Sequence, residues 1–495
     1  MSEQQTYRQI TKATSLFGGV QVFQIIILII RSKIIAILLG PYGIGILGLL
    51  SSTTSLISGF TNLGLGTSAV KDLSVAHKTE DDNRISTVSL VFRRLVWVTG
   101  LVGASITLIL SPWLSQFTFG NNDYTSAFMW LSITVLFNQI TVGELGILQG
   151  LRRLKFLAKA NLYGSSIGLI ITIPLYYKLG LNAIVPSIII FSLVSLTVSL
   201  IFSRKVFLKP IYVSLKRTLE EGRNMATMGT IISISVVLAL ASSYVLRVYI
   251  GRFGSIADVG LFSAGIAIVT TYVGMIFNAM GADFLPRLSA VSSDDKICFQ
   301  TINQQAEIAI LFLAPILSVF FIFINYVIIL FYSNQFLPIS SLMLWAALGM
   351  FFRVIIWIMG FLYLAKGRSK IYFWNEFASI VYTLLLNGLG YYLGGLTGIG
   401  ISIFCAGLIS MLQSLVISRI KFSFMFDLPF IRIFLIHFSL ATIAFMISKA
   451  VPSPYSYIFG VVLIAFSILF SYIELDKRIG IGDLFIKRNN KQTHK

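Results

Sequence analysis

Long runs of apolar residues, separated by short polar and basic segments, recur along the whole length of the chain. A helix that crosses a bilayer needs about 20 consecutive, mostly apolar residues. By that rule the pattern predicts an all-α integral membrane protein with about 14 transmembrane helices. The predicted spans are residues 15–38, 43–70, 88–112, 124–150, 156–177, 181–203, 226–250, 259–284, 303–331, 338–364, 371–392, 397–418, 430–449 and 456–474.

Lysine and arginine are distributed unevenly between alternate loops of this pattern. With the N-terminus in the cytoplasm, about 31 of the 38 basic residues fall on the cytoplasmic side. Only Lys178, Arg252 and Lys449 then fall on the outer side. Because short cytoplasmic loops are enriched in Lys and Arg, the bias predicts that both termini are cytoplasmic. The loop charges act as a topology signal and attract anionic lipid headgroups.

Composition agrees with a bilayer as the solvent. Hydrophobic residues make up 56% of the 495 and charged residues only 12%, with a mean hydropathy of +0.87. The formal net charge of +19 would indicate nucleic acid in a soluble protein, but the loop bias explains it without such a partner. Cys298 and Cys405 are placed unsuitably for a structural disulfide, and three histidines do not indicate a metal site. The first apolar run is too long for a cleavable signal, so we expect it to be retained.

The longest loop divides the predicted spans into two sets of six. Residues 204–225 alternate apolar and charged positions at helical spacing, which predicts a cytoplasmic amphipathic linker lying on the membrane surface. Residues 1–203 then form an N-terminal six-helix bundle and residues 226–421 a C-terminal one. Residues 422–495 add two further membrane helices and a basic cytoplasmic tail.

The two halves carry a weak internal repeat. Arg31 precedes a glycine-rich segment at 40–51, and Arg247 precedes a similar segment at 254–263. Six spans per half give both halves the same topology. The repeat therefore predicts two bundles related by a pseudo-two-fold axis along the membrane normal, with a substrate path between them.

Four basic residues are predicted to lie deep inside the spans: Arg31, Lys33, Arg247 and Arg353. A charged side chain at that depth is costly and usually faces a cavity. We expect these residues to form a cationic lumen, because the planar guanidinium binds phosphate bidentately and stays charged. Lys33 points nearly opposite to Arg31 on the helix, so it can instead snorkel or pair elsewhere. The alternative for each arginine is that it caps carbonyls or pairs with a buried acid.

Three acids are candidates for coupling transport to an ion, because a membrane carboxylate can exchange a proton or bind Na⁺. These are Glu144, Glu376 and Asp283. Each can equally be the salt-bridge partner of a lumen arginine, and the positions of Glu376 and Asp283 near the interface favour that structural role. No other cofactor is predicted.

Uncharged polar side chains also lie in the predicted spans. We expect a subset of them to face a sugar, and the alternative is that they form hydrogen bonds between helices. The candidates are Gln24, Ser55, Asn62 and Asn278.

The sequence lacks the motifs of several enzyme classes. It contains no G-x-x-x-x-G-K-[ST], H-E-x-x-H or C-x-x-C, so we expect no ATP hydrolysis. The string G-x-S-x-G at 164–168 lies inside a predicted membrane helix instead of a strand-turn-helix elbow. Every predicted external loop is short and poor in acids and histidine, which argues against a membrane glycosyltransferase or O-antigen polymerase. The chain is therefore predicted not to be an enzyme.

Several segments together resemble a known family: Arg31-Ser32-Lys33, Leu39-Gly40-Pro41-Tyr42-Gly43, the run from Leu148 to Lys155, and Leu175 to Ala183. In these the sequence resembles the bacterial polysaccharide transporters of the MOP flippase superfamily, in particular the O-antigen translocase (Wzx-like) group. The resemblance covers most of the first twelve spans. Its pattern is more specific for the superfamily than for the substrate.

The resemblance implies a transport function in the bacterial inner membrane. Two six-helix bundles would move an undecaprenyl-pyrophosphate-linked oligosaccharide, such as an O-antigen repeat unit for lipopolysaccharide, from the cytoplasmic to the outer leaflet. The cationic lumen would bind the pyrophosphate, and polysaccharide polymerase or assembly proteins would be partners. Two relatives remain as alternatives. A lipid II flippase of the same superfamily has an extra helix pair thought to line a groove for the lipid tail, and a multidrug antiporter would need an acidic lumen.

Overall fold

The computed structural model describes residues 3–79, 81–206 and 209–479, and every regular element within these ranges is helical. This confirms the predicted all-α class. The described ranges contain sixteen α-helices, two 3₁₀ segments and one π segment. The α-helices are α1 Glu3–Thr61, α2 Leu65–Lys78, α3 Asp82–Ile109, α4 Ser111–Phe119, α5 Thr125–Gly150, α6 Leu154–Leu179, α7 Ile184–Ser203, α8 Leu215–Phe253, α9 Ile256–Ala267, α10 Met275–Ala290, α11 Asp295–Ile322, α12 Ile324–Phe331, α13 Ser340–Ala365, α14 Ser369–Phe422, α15 Leu428–Ala450 and α16 Tyr455–Ile479.

Ten helical stretches in these ranges are long and apolar enough to cross a membrane, which makes the chain a multi-pass membrane protein. Three of them, Ile26–Thr61, Leu154–Ser203 and Ser369–Phe422, contain 36, 50 and 54 residues. At 1.5 Å per residue these stretches are about 54, 75 and 81 Å long, so all three exceed the bilayer core of about 30 Å, and the two longer ones are long enough for two crossings.

Glycines interrupt each of these long stretches. Gly40 has φ 63°, Gly180 has φ 54°, and Gly394 and Gly395 break the helical backbone inside α14. The predicted span 259–284 corresponds to α9, the π segment Ile268–Val273 and α10. Every predicted span thus has a helical counterpart, while fourteen crossings remain a prediction.

Side-chain caps mark several helix starts. Asp81, Ser214, Asp294 and Asp427 each accept a hydrogen bond from a backbone N–H in the first turn of α3, α8, α11 and α15. Such caps satisfy donors that have no partner within the helix. The cap at Ser214 starts a helix of 39 residues, so the helical part of the predicted linker is the beginning of α8 and not a separate surface helix.

The helices form two compact units by their contacts. The first unit contains the chain up to Ser263 together with Phe331–Gln335. Within it α3 packs on α5, α6 packs on α7, and α1 contacts both α6 and α8. A buried apolar cluster that includes Leu73, Phe92 and Ile147 joins α2, α3 and α5.

The second unit contains Ala264–Leu330 and the chain from Phe336 onwards. Here α13 packs on α14, and α11 contacts both of the last two helices. Arg478 at the end of α16 forms an ion pair with Glu307 of α11 at 2.5 Å. The buried His437 of α15 forms hydrogen bonds with Ser467 and Ser471 of α16. The final helix pair is therefore integrated into this unit through α11.

Candidate functional site

Arg31 lies on α1, nine residues before the break at Gly40, and packs against an aromatic ring. Its guanidinium carbon is 4.2 Å from the centroid of the Phe191 ring on α7. No carboxylate among the described residues forms an ion pair with it. The cation is thus stabilised by the ring face without neutralisation of its charge, which leaves it able to attract an anion.

Two hydroxyl groups lie close to Arg31. Tyr176 on α6 is 1% exposed and Ser187 on α7 is fully buried, and neither hydroxyl forms a hydrogen bond that meets strict distance and angle limits. The Tyr176 hydroxyl is nonetheless close enough to interact with both the Arg31 guanidinium and the Ser187 hydroxyl. Arg31 and the two hydroxyls therefore form one buried polar cluster, whose donors are of the kind that bind the oxygens of an anionic ligand.

Arg247 on α8 uses most of its N–H groups in hydrogen bonds within the protein. It donates to Ser263 Oγ at 3.2 Å, to the Ser243 carbonyl oxygen at 3.1 Å and to Ser243 Oγ. The Phe262 ring lies 5.7 Å from its guanidinium carbon. Its Nη2 group has no hydrogen bond to a described residue. The hydrogen bonds to the Ser243 carbonyl and to the two serine hydroxyls therefore use the Nε and Nη1 donors of Arg247, and its Nη2 edge remains available for a ligand.

The Arg353 side chain on α13 lines a small cavity of about 110 Å³ within the second unit. Trp357, Tyr372 and Glu376 also line this cavity. Arg353 is exposed and forms no ion pair with a described carboxylate, although Glu376 lines the same space. Opposite charges facing one cavity without direct contact leave room for a bound ion or water between them.

Glu144 on α5 forms a bidentate ion pair with Arg93 on α3. Arg93 Nε is 2.9 Å from Oε1 of Glu144, and Arg93 Nη2 is 2.7 Å from Oε2. Glu144 is 4% exposed. Of the two roles predicted for Glu144, the geometry favours the salt-bridge partner, but its arginine is Arg93 and not a predicted lumen residue.

The remaining predicted site residues differ in what the structure shows of them. Ser55 is exposed, and the Asn62 side chain accepts a hydrogen bond from Gln139 at 3.0 Å, which is the interhelical alternative for Asn62. Lys33 is half-buried and interacts with a neighbouring group. The side chains predicted at three further positions lie outside the described part of the structure: Gln24, Asn278 and Asp283.

Ion pairs connect the start of α8 and the segment before it to the start of α3. Arg84 is 2.6 Å from Glu221, and Lys209 is 3.1 Å from Asp82. Burial raises the pKa of the Asp72 carboxyl nearby, and the positive charges of Arg84 and Lys71 oppose that rise. The sequence does not predict these contacts, because a topology signal and attraction to anionic lipid headgroups already explain the charges of the linker.

The middle of the chain matches a known family model. The model described as "Polysaccharide biosynthesis protein" matches residues 34–341. The chain belongs to this family. Within this member of the polysaccharide biosynthesis family, the matched segment contains Glu144 and Arg247 but begins after Arg31 and ends before Arg353. A search of curated protein sequences finds no match.

Solved structures share the fold of this polysaccharide biosynthesis protein. The lipid II flippase MurJ in an inward closed conformation matches with a TM-score of 0.67 at 15% identity, covering 93% of this chain and 99% of that one. An inward-facing multidrug resistance MATE transporter of the MOP superfamily matches with a TM-score of 0.66 at 15% identity, covering 80% and 94%. The MATE multidrug transporter DinF-BH gives 0.61 at 13% identity, covering 82% and 95%. At these identities the likeness establishes the fold.

Proposed function

We propose that the chain is a flippase for an undecaprenyl-pyrophosphate-linked oligosaccharide, such as an O-antigen repeat unit. It moves this lipid from the cytoplasmic to the outer leaflet of the bacterial inner membrane by alternating access. Family membership supports a role in polysaccharide biosynthesis, and the shared fold of MurJ and MATE transporters supports transport. The observation that carries the proposal is Arg31, a cation in an apolar helix that has no carboxylate partner among the described residues and lies close to two buried hydroxyls.

In this proposal the intramembrane cations bind the pyrophosphate. Arg31 and Arg353 have no carboxylate partner among the described residues, so a phosphate can bind without displacing an existing ion pair. Arg247 contributes its free Nη2 edge, and Lys33 completes the set. Glu376, across the cavity from Arg353, is the coupling candidate that the geometry supports. The sugar-facing residues proposed are Gln24, Ser55, Asn62 and Asn278, and Asp283 is retained as a second coupling candidate.

The proposed working parts are the two six-helix bundles. Residues 1–203 form one bundle and residues 226–421 the other, with 204–225 as the cytoplasmic linker. Alternating access moves one bundle against the other about the bound substrate. Residues 422–495 add two membrane helices and the basic tail, and both termini are cytoplasmic. Polymerase or assembly proteins of the polysaccharide are the proposed partners.

One observation favours lipid II as an alternative cargo. The match to MurJ covers 93% of this chain, whereas the match to the inward-facing MATE transporter covers 80%. The additional part of this chain that the MurJ match covers is at least as long as the two final helices, α15 and α16, together. A multidrug antiporter is the weaker alternative, because cationic drugs need acidic groups, and arginines outnumber acids among the charges of the candidate site that form no ion pair with a described residue. These charges are Arg31, Arg247, Arg353 and Glu376.

The test is translocation in proteoliposomes. Vesicles receive a fluorescent undecaprenyl-pyrophosphate oligosaccharide, a lipid II analogue or a cationic dye, each with and without an ion gradient. We expect translocation of the oligosaccharide lipid, reduced about tenfold or more by Arg31→Ala, because a charge-assisted hydrogen bond contributes about 1.5–3 kcal/mol. Arg204→Ala is the matched control, since Arg204 is exposed at the end of α7.

Three outcomes would contradict the proposal. Movement of the dye alone would indicate an antiporter. Movement of lipid II in preference to the undecaprenyl oligosaccharide would assign the alternative cargo. Equal effects of Arg31→Ala and Arg204→Ala on lipid movement, at equal amounts of folded protein, would remove Arg31 from the binding site.

A further inference from the structure

The two arms of α14 enclose a groove at the end opposite to their glycine bend. At the bend the backbones nearly touch, because a Cβ at Gly398 would lie 1.9 Å from the carbonyl oxygen of Gly390. At the other end the arms leave an opening of about 480 Å³. That volume is within the range of about 300–1,000 Å³ typical of small-ligand pockets. The lining residues are Lys370, Ile371, Trp374, Asn375, Gln413, Ile417, Ile420 and Lys421.

The floor of this α14 groove has its polar groups satisfied. Gln413 Nε2 donates to the Asn375 carbonyl oxygen at 3.2 Å and to its side-chain Oδ1 at 2.9 Å. Asn375 is 4% exposed and its Nδ2 donates to Ser414 Oγ at 3.4 Å. Because these groups already form hydrogen bonds with each other and with Ser414, an apolar chain can lie across the floor without taking away their hydrogen-bond partners.

The walls of the groove are apolar and strongly exposed. Trp374 is 63% exposed and Ile420 is 71% exposed, and Ile417 lies one turn before Ile420 on the second arm. In a membrane-spanning helix such side chains face lipid. Tryptophan is also the residue enriched where hydrocarbon meets the headgroup layer. The walls are therefore suited to an acyl chain that enters from the bilayer.

Two lysines stand at the mouth of the groove. Lys370 lies in the first turn of α14 and Lys421 in its last, and both are exposed. Neither forms an ion pair with a carboxylate among the described residues. Two uncompensated ammonium groups above an apolar groove complement a phosphate headgroup with an attached acyl chain, and basic pockets between membrane helices bind anionic lipids in this way.

The groove is separate from the Arg353 cavity. At 100° per residue, Ile371, Trp374 and Asn375 lie on one face of the first arm, whereas Tyr372 and Glu376 lie on a face rotated from it by about 130°. The first set lines the groove and the second lines the Arg353 cavity. A molecule in the groove therefore does not occupy the cavity proposed for pyrophosphate and coupling.

We propose that the α14 groove binds an anionic glycerophospholipid of the bilayer. Its phosphate lies between Lys370 and Lys421, and one acyl chain lies against Trp374 and Ile420. The lipid fills the space between the two arms at the membrane interface. This site is independent of the flippase proposal, since it requires neither the arginines nor a particular cargo.

The experiment measures lipid binding to the delipidated full-length protein in detergent by native mass spectrometry. Phosphatidylglycerol and phosphatidylethanolamine with identical acyl chains are titrated separately. We expect tighter binding of phosphatidylglycerol, and a loss of roughly 30-fold in its affinity in the double variant Lys370→Gln/Lys421→Gln, at about 1 kcal/mol for each lysine. The matched control is Lys155→Gln/Lys159→Gln, which removes two exposed lysines of α6 that line none of the cavities described. We expect less than a twofold change for it.

Further variants keep the test decisive. Lys370→Arg/Lys421→Arg retains both charges and should retain binding, which separates charge from folding. Brominated phosphatidylglycerol should quench tryptophan fluorescence, and Trp374→Phe should remove that quenching. Equal losses in both glutamine double variants, or equal binding of the two lipids, would overturn the proposal. Displacement of phosphatidylglycerol by undecaprenyl pyrophosphate at much lower concentration would also overturn it, by assigning the groove to cargo.

Discussion

A single side chain can be identified from sequence as costly in a membrane, but its partner cannot. Glu144 stands out because an acid interrupts an apolar run, whereas Arg93, 51 residues earlier, lies near the cytoplasmic start of the predicted span 88–112, where a basic residue is expected as a topology signal. Only the packing of α3 on α5 brings the two together. The same limit applies to Arg31, whose neighbours Phe191 and Tyr176 lie on other helices. The sequence therefore identifies candidate cations, and the structure shows which side chains surround Arg31, Arg247 and Arg353.

Removal of one member of the Arg93–Glu144 pair should strongly destabilise the protein. In Glu144→Gln the Arg93 guanidinium loses its counter-charge. Breaking a fully buried pair costs about 3–5 kcal/mol, and the 32% exposure of the Arg93 side chain makes the expected cost smaller than that. We expect a clear decrease in the thermal unfolding temperature of the detergent-purified protein, and a smaller decrease in Arg93→Gln/Glu144→Gln, where no charge is left alone. Arg84→Gln is the control, because Arg84 forms a more exposed ion pair.

The same double variant separates the two roles predicted for Glu144. If the carboxylate is structural, Arg93→Gln/Glu144→Gln should retain ion-driven lipid transport in proteoliposomes, at a rate within about twofold of the original per folded protein. Loss of the ion dependence in this variant, with normal folding, would assign the coupling role to Glu144 and contradict the structural role.

At the scale of helices, hydropathy predicted where the apolar segments lie and missed how they are joined. The predicted spans 15–38 and 43–70 both fall largely within α1 and α2, because the backbone turns at Gly40 without leaving helical geometry on either side. The predicted linker helix is continuous with α8. Composition alone does not separate a helix that ends from one that continues past a polar stretch. The location of the spans was therefore predictable, and their continuity was not.

The crossing of α1 and α9 should tolerate no side chain at Gly260. A Cβ there would lie 1.8 Å from the carbonyl oxygen of Pro41, so Gly260→Ala must push two backbones apart. We expect a destabilisation of about 1–3 kcal/mol, measured as a lower unfolding temperature. Gly388→Ala is the matched control, because nothing lies within 4 Å of the added methyl group and alanine favours helix. Equal effects of the two variants would contradict this close contact.

The segment before α8 should depend on Arg94 more than on the exposed ion pairs. Arg94 Nη1 donates to the Val213 carbonyl oxygen at 2.8 Å and to Thr218 Oγ1 at 2.7 Å. Arg94→Ala should loosen this segment and increase the rate of tryptic cleavage between residues 204 and 217 several-fold. Arg217→Glu, which reverses an exposed charge, removes one cleavage site but should leave the rate at the remaining sites unchanged. An unchanged rate in Arg94→Ala would show that other contacts hold the segment.

At the scale of the whole molecule, the family model indicates polysaccharide biosynthesis and the fold is one that transporters share, while the cargo of the proposed flippase depends on a few side chains. The family match spans residues 34–341, and the structural match to MurJ covers 93% of the chain. Neither extends to the identity of the sugar, because transporters of one fold differ in the groups that line their sites. The direction of transport depends further on orientation in the membrane, which the loop charges predict and a fold comparison does not provide.

The two ends of α6 offer a direct test of that orientation. Lys155 and Lys178 are both exposed and lie in the first and last turns of this 26-residue helix. At 1.5 Å per residue the helix is about 39 Å long, enough to cross the bilayer core of about 30 Å. The positive-inside rule places Lys155 in the cytoplasm and Lys178 outside.

In a Cys298→Ala/Cys405→Ala background, a membrane-impermeant maleimide should label Lys178→Cys in intact cells. Lys155→Cys should react only after permeabilisation. The reverse pattern would invert every loop assignment, and the cytoplasmic leaflet would then be the destination of the cargo instead of its origin. Labelling of both positions in intact cells would show that α6 does not span the membrane, which would contradict the predicted span 156–177.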